Sequence, residues 1–295
     1  MINRTVEISS APTTLRVHDE QLLIERNGAV AGRIPLEDIG LLVIDEQQTI
    51  VSARTLQGLM EHQGVALICN KKHLPSGMLV PIVSHSTLQQ KIALQLELAR
   101  PMRKRLWRHI VRGKILAQAR VLGKNSSTAA RLREAARTMR SGDPENVEAQ
   151  MARFYWQAWL GSETEFKRDQ DGDGINALLN YGYAIVRASL ARACVIAGLQ
   201  PAIGIHHSNR SNPFCLVDDL IEPLRPIVDE AVRDLHRAGN SEIKPDTKKT
   251  LLALLYKEVR YADQKSPLVV AIQHYVFGFV RCLENKDEKM RFIQW

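Results

Sequence analysis

The sequence predicts an α+β fold, with a β-rich N-terminal domain followed by a larger all-α domain. Three observations predict it. Over residues 1–83, short apolar runs alternate with turn signals, the pattern of short strands. From about Ser84 the apolar spacing changes to three and four residues, the pattern of helices buried on one face. The length, 295 residues, suits about two domains of roughly 100–200 residues each. The boundary is placed between residues 83 and 84, so that 84–295 form the helical domain.

The elements follow in order. TLRVHD, LLIERN, IGLLVID, VALICN and GMLVPIV read as strands. The first two make a hairpin through Glu20-Gln21, and Asn27-Gly28 turns the chain into further strands. SARTLQGLMEH interrupts them as an amphipathic helix with Ser52 as its N-cap. HLPSG (73–77) reads as a loop before a last strand. Helical spacing then links Leu88, Ile92, Leu96 and Ala99 in a run from Ser86, and Trp107, Ile110, Ile115, Ala119 and Leu122 in a longer one. Asp143-Pro144 reads as the cap and first turn of a helix with Val147, Met151, Phe154 and Ala158 on one face. A helix from about Ile175 to Ala197 stops at Gly198, and TLLALLYKEV and SPLVVAIQHYVFGFVRCLE supply the C-terminal helices.

With 45% hydrophobic and 24% charged residues, the composition excludes a disordered, collagen-like or coiled-coil chain. Cys69, Cys194, Cys215 and Cys282 lie outside zinc-ligand spacing and read as reduced thiols. MINRTVEISS has no apolar signal region, and no apolar run reaches the ~18 residues that a membrane span needs. The expectation is a cytoplasmic protein without a membrane partner. The formal charge of +8 is unevenly placed. Residues 1–83 hold seven basic and nine acidic side chains, whereas residues 100–133 hold eleven basic residues and no acid. A merely solvated helix face usually mixes signs, so an unmixed basic segment points to a polyanion such as nucleic acid.

Phosphodiester chemistry commonly uses a divalent metal held by carboxylates and imidazole. Three segments offer them. Glu148 in ENVEAQMARFYWQAW shares a helix face with Ala152, Tyr155 and Trp159; the plain structural alternative is an exposed acid favoured by the helix dipole. GIHHSNRSNPF offers His206 and His207, which point to opposite sides if extended, so at most one faces a given site. LVDDLIEPLRPIVDE puts Asp219 and Glu222 on one helix face; the alternative there is an acidic cap paired with Arg225. DQDGDGINALLN (169–180) imitates a calcium loop, but Asn180 stands where a bidentate Glu is required. It reads instead as a helix-entry loop capped by Asp173. No GxxxxGKS phosphate loop and no GxSxG elbow occurs, and no other cofactor is indicated.

EAQMARFYW (148–156), NALLNYGYAIVRASLARACVIAGLQPAIGIHH (176–207) and NPFCLVDDLIEPLRPIVD (212–229) together resemble the CRISPR-associated spacer-acquisition integrase family. HLPSGMLVP (73–81) and LWRHIVRGKILAQARVL (106–122) add to the match, which runs in the family's order over nearly the whole chain. The variant is most similar to those found beside the single-protein RNA-guided effector nuclease. The resemblance implies a β domain that makes a homodimer and a helical domain that holds the active site. It implies Glu148, His207 and Glu222 as catalytic metal ligands for Mg2+ or Mn2+, with Asp219 as an auxiliary acid. The implied reaction is attack by the 3′-hydroxyl of a short DNA fragment on a phosphodiester at the edge of a CRISPR repeat. Arg100, Arg103, Arg108, Arg112 and Lys114 are then the expected contacts to double-stranded DNA. A small ferredoxin-like companion subunit is the implied partner, with the effector nuclease a further one. Two other readings stay open: a structure-selective DNA or RNA endonuclease using the same site, and a non-catalytic basic dimeric scaffold that binds DNA.

Overall fold

The computed structural model describes residues 4–82, 87–161, 166–285 and 289–295; the expected boundary at 83/84 and the helix start at Ser86 lie outside them. A strand-rich region precedes a helical one. The first region comprises β1 (Arg4–Ile8), β2 (Thr14–His18), β3 (Gln21–Arg26), β4 (Ala29–Pro35), β5 (Ile39–Ile44), β6 (Ile50–Val51), α1 (Ala53–Glu61), β7 (Val65–Cys69) and β8 (Pro75–Leu79). The strands form two sheets, ordered β1-β5-β7-β8 and β4-β3-β2-β6. In the first, β1, β5 and β7 run parallel and β8 closes the edge antiparallel. IGLLVI, the sequence of β5, is apolar without alternation because both its faces are covered. Leu41 and Val43 join the helical core, while Leu42 packs with Leu15 and Leu22 of the second sheet.

Two turns refine the sequence reading. The β2–β3 turn is Asp19-Glu20 rather than Glu20-Gln21, for Gln21 already pairs with His18. Both turn residues take left-handed φ values of 50° and 55°, as do Asn27 and Gly28 at 51° and 76° in the next hairpin. A two-residue turn of that hand matches the twist of its strands, even where Glu20 must adopt it without glycine's freedom. Pro75-Ser76-Gly77, read as loop, begins β8; at a sheet edge, proline's missing N–H leaves no ladder bond unmade. Ser52 caps α1 as expected, accepting from the Thr55 N–H at 3.2 Å.

The helical region contains α2 (Leu88–Leu96), α3 (Arg100–Leu122), α4 (Ser127–Thr138), α5 (Val147–Trp159), α6 (Ile175–Ile196), α7 (Cys215–Ile221), a 3-10 turn at Glu222–Leu224, α8 (Arg225–Arg237), α9 (Pro245–Ala253) and α10 (Leu268–Glu284). It also contains a hairpin, β9 (Glu258–Tyr261) with β10 (Gln264–Pro267), so TLLALLYKEV is helix only in its first half. Helix α6 is buried along most of its length and is the axis on which α7, α8, α9 and α10 pack. The Asp173 carboxylate does not cap it; the backbone carbonyl of Asp173 accepts from Asn176 N–H instead, and Gly174 is the cap position. The four cysteines are buried thiols. Among the described residues, no helix is long and apolar enough to cross a membrane.

Candidate active site

Helix α5 starts where Asp143, three residues ahead of the N-cap, accepts from the N–H groups of Val147 and Glu148 at 2.7 and 3.0 Å. The capping residue foreseen from the sequence thus acts from outside the helix, and it fixes the turn that carries Glu148. That carboxylate faces α3, where Lys114 meets it at 2.7 Å. The same ammonium lies 2.5 Å from Glu222 Oε2. Glu222 sits in the 3-10 turn between α7 and α8, where Pro223 and Pro226 break the helix, and its other oxygen accepts from Arg225 Nε at 2.8 Å. Burial alone would raise the Glu222 carboxyl, but Arg225 and Lys114 hold it down at about 2. Burial alone would lower the Lys114 ammonium, but Glu222 and Glu148 keep it above the ordinary lysine value.

The histidine pair is separated by its partners. Fully buried Asp219 accepts from the backbone N–H groups of Ile205, His206 and His207 at 2.5, 3.0 and 3.1 Å, and from His207 Nδ1 at 2.7 Å. Asp219 therefore builds the loop and orients the imidazole. The hydrogen bond that His207 donates to Asp219 outweighs desolvation and raises the His207 pKa above the ordinary value. His206 instead lies flat on Trp107, with ring centroids 4.1 Å apart. Gly204 has a steric reason to stand three residues before His207: a Cβ there would lie 2.3 Å from the His207 carbonyl and 2.9 Å from Asp219 Oδ2. Behind the loop, buried Gln95 donates to the carbonyls of Gln200 and Ile203 and accepts from Gln200 N–H.

The basic segment splits by direction. Arg100 and Arg112 are exposed, and Arg108 is half-buried. Arg103 turns inward and donates to the carbonyls of Leu98, Gln95 and Gly204, while Lys114 belongs to the carboxylate bridge. The family resemblance and the basic segment put both among the expected DNA contacts; in the free protein they lie in the buried stripe with Leu106, Trp107, Ile110, Val111 and Gln118, a spacing that signals their inward direction.

A cavity of about 220 Å³ opens beside the bridge, lined by Lys114, Gln118, Trp156, Arg168, Tyr183 and Arg225 among others. Asp229 lies at its wall and accepts from the hydroxyls of Tyr155 and Tyr183. Burial pushes the Asp229 carboxyl up to about 6 against those two hydrogen bonds. Sequence reading missed this group, because its tyrosine partners come from α5 and α6, far away in the chain.

Among the described residues, no three His, Cys, Asp or Glu side chains stand together at metal-binding spacing. The donor chemistry still fits a hard divalent cation. Two carboxylates converge on one positive charge, and Glu222 Oε2 is buried without a well-aligned hydrogen bond. With Nδ1 committed to Asp219, Nε2 is the His207 nitrogen left for a ligand, the usual carboxylate–histidine arrangement behind a bound metal.

Comparison with known proteins gives a consistent result. The profile of the family described as CRISPR associated protein Cas1 matches residues 6–260. A CRISPR-associated endonuclease Cas1 of Neisseria meningitidis serogroup C (strain 8013) is 39% identical over 279 residues, covering 93% of this chain and 90% of that protein. Among solved structures, a casposase bound to integration product superposes with a TM-score of 0.80 at 21% identity, covering 97% of this chain and 92% of that one. A Cas6-RT-Cas1–Cas2 complex superposes with a TM-score of 0.79 at 16% identity, covering 98% of this chain and 36% of that one.

Proposed function

The chain belongs to the Cas1 family of CRISPR-associated proteins, and from that premise we propose that it joins short DNA fragments to a CRISPR repeat by transesterification. The observation that carries the proposal is the convergence of Glu148 and Glu222 on Lys114, within a helix whose segment carries basic residues and no acid; Asp219 orients His207 on the loop that precedes α7. In the reaction, a 3′-hydroxyl of the fragment forms a bond to a repeat phosphorus, and the 3′-oxygen of the repeat strand leaves as a hydroxyl. Running the step backwards needs the same groups.

Glu148, Glu222 and His207 would hold the ion. Bound Mg2+ or Mn2+ supplies a Lewis acid that stabilises the charge growing on the phosphate oxygens. Asp219 keeps His207 in one orientation and its Nε2 outward. Arg225 keeps Glu222 ionised and in place. Arg100, Arg108 and Arg112 hold duplex DNA through its phosphates, with little base readout. The name of the Neisseria relative supports phosphodiester chemistry, and the casposase and Cas2-containing structures support integration and a small Cas2 partner. The reading includes a homodimer working in the cytoplasm with that ferredoxin-like subunit and, in the same system, the effector nuclease.

Strand transfer tests it. Purified protein with a labelled fragment, a repeat-containing duplex and Mn2+ is expected to give a product longer than the fragment. Glu148→Ala and His207→Ala are expected to abolish that product while keeping the far-UV dichroism and DNA affinity of the parent. Normal joining by both variants overturns the assigned site. A purely shorter product favours the endonuclease reading.

A further inference from the structure

Lys114 occupies the place between the two carboxylates that a metal would take. Its ammonium is 2.7 Å from Glu148 and 2.5 Å from Glu222, and its side chain is 13% exposed. As it stands, the cluster of Glu148, Glu222, Lys114 and Arg225 is neutral. A divalent ion added with the ammonium still in place would raise the cluster to a charge of two, with like charges at contact distance in a partly buried site. Ammonium and metal therefore compete for one position.

The structure also holds a second place for the ammonium. Gln118 follows Lys114 by one helical turn on α3, so the two side chains are neighbours. It is 3% exposed, and its Oε1 has no hydrogen-bond partner among the described residues. Both side chains line the 220 Å³ cavity. A buried carbonyl oxygen left unpaired is costly, and an ammonium on a flexible four-carbon stem is a donor able to reach it.

We propose that Lys114 is a built-in counter-ion: its ammonium holds Glu148 and Glu222 together in the metal-free protein, and metal binding displaces it along α3 to Gln118 Oε1. The proposal rests on the metal site assigned above. It makes Lys114 a positioning residue, which keeps two carboxylates converged that would otherwise repel. Metal affinity in the free protein is then set by competition with an internal cation.

The test uses the whole chain without DNA, with Mn2+ as the probe and the paramagnetic signal of free Mn2+ as the readout. Lys114→Met is expected to bind Mn2+ at least about tenfold more tightly than the parent, the effect of removing a like charge from the site. Gln118→Leu is expected to weaken binding when Lys114 is present and to leave it unchanged in the Lys114→Met background. Amine labelling of the unmodified protein, read by mass spectrometry, is independent of how well the variants fold. Acetylation of Lys114 is expected to rise when Mn2+ is added, while Lys248 stays protected. Equal or weaker binding by Lys114→Met, with binding still lost in Glu148→Ala, overturns the counter-ion and leaves the metal site standing. Labelling of Lys114 that does not respond to Mn2+ overturns it as well. Failure of parent and Lys114→Met alike to bind Mn2+ overturns both readings.

Discussion

Two lysines in this molecule each stand between two carboxylates, in different settings. Lys114 joins Glu148 and Glu222 within the helical region. Lys248, on α9, joins Asp45 and Glu7 at the ends of β5 and β1, where the first sheet meets the helices. The second cluster is the more deeply buried, although Glu7 keeps 17% of its side chain exposed. The Asp45 side chain is wholly buried, that of Lys248 is 4% exposed, and Tyr181 donates to Glu7 from α6. Burial, reinforced by Asp45, pushes the neighbouring Cys69 thiol up to about 12. The first cluster borders a cavity, and Glu148 keeps a quarter of its side chain in solvent. The same three charges make a structural tie where packing covers them and, on the reading proposed above, an exchangeable site where a cavity opens.

Stability is where the contrast is largest. Among the described residues, Lys248→Met leaves buried Asp45 with the part-exposed His73 and the Cys69 thiol but no lysine, and a broken buried pair costs about 3–5 kcal/mol. Lys114→Met should cost about 1–2 kcal/mol, because Glu222 keeps Arg225 and Glu148 reaches water. Urea midpoints measured side by side check this. Equal losses would show that access does not separate the two clusters.

The buried Asp219 sharpens the comparison, since its four donors are all from the histidine loop. In Asp219→Asn, one acceptor oxygen becomes a donor facing donors, which should cost about 2–3 kcal/mol in the same measurement. The His207 imidazole should titrate lower than in the parent, because its raised pKa comes first from Asp219. Histidine side-chain NMR reads that shift, and an unchanged His207 titration would remove Asp219 from its positioning role.

Asp229 gives a pH dependence. Its carboxyl, ordinarily at 3.8, is raised to about 6 in the folded protein, so between those values the folded state binds more protons than the unfolded one. Stability contributed by the protonated acid is therefore present below about pH 4 and lost as pH rises through 6, by up to about 3 kcal/mol. Denaturation across that range should show the fall in the parent and a flatter profile in Asp229→Asn. A parent profile as flat as the variant's would mean that the two tyrosine hydroxyls fully offset burial.

Much of this site was legible in the sequence, residue by residue. Glu148, His207, Asp219 and Glu222 stand on short local patterns, and Gly204 leaves a trace because no Cβ fits beside Asp219. The strands were legible as apolar runs, although a one-residue slip at Asp19-Glu20 shows how little a turn without glycine reveals. Partnership across the chain was not legible. Lys114 meets acids 34 and 108 positions away, and nothing local encodes that pairing. The helical period, read with the apolar positions Leu106, Trp107, Ile110 and Val111, puts Lys114 and Arg103 on the buried stripe of α3, a signal the charge pattern masked.

That stripe leads to the smallest and most specific effect, a comparison of two arginines nine positions apart in one basic run. Arg112 is exposed on α3, whereas Arg103 spends its guanidinium on three backbone carbonyls. A phosphate-bound cation releases counterions, and each contact contributes about 0.9 to the slope of log affinity against log salt. Arg112→Gln should therefore lower the slope for duplex DNA by about one and weaken binding more at low salt than at high salt. Arg103→Gln removes charge-assisted bonds that hold the Gly204 carbonyl and the end of α2, so it should lower the unfolding midpoint and leave the slope nearly unchanged. Fluorescence anisotropy over a salt series separates the two outcomes. If both variants flatten the slope equally, Arg103 leaves its carbonyls for phosphate when DNA arrives, and the division of α3 into inward and outward cations holds only for the free protein.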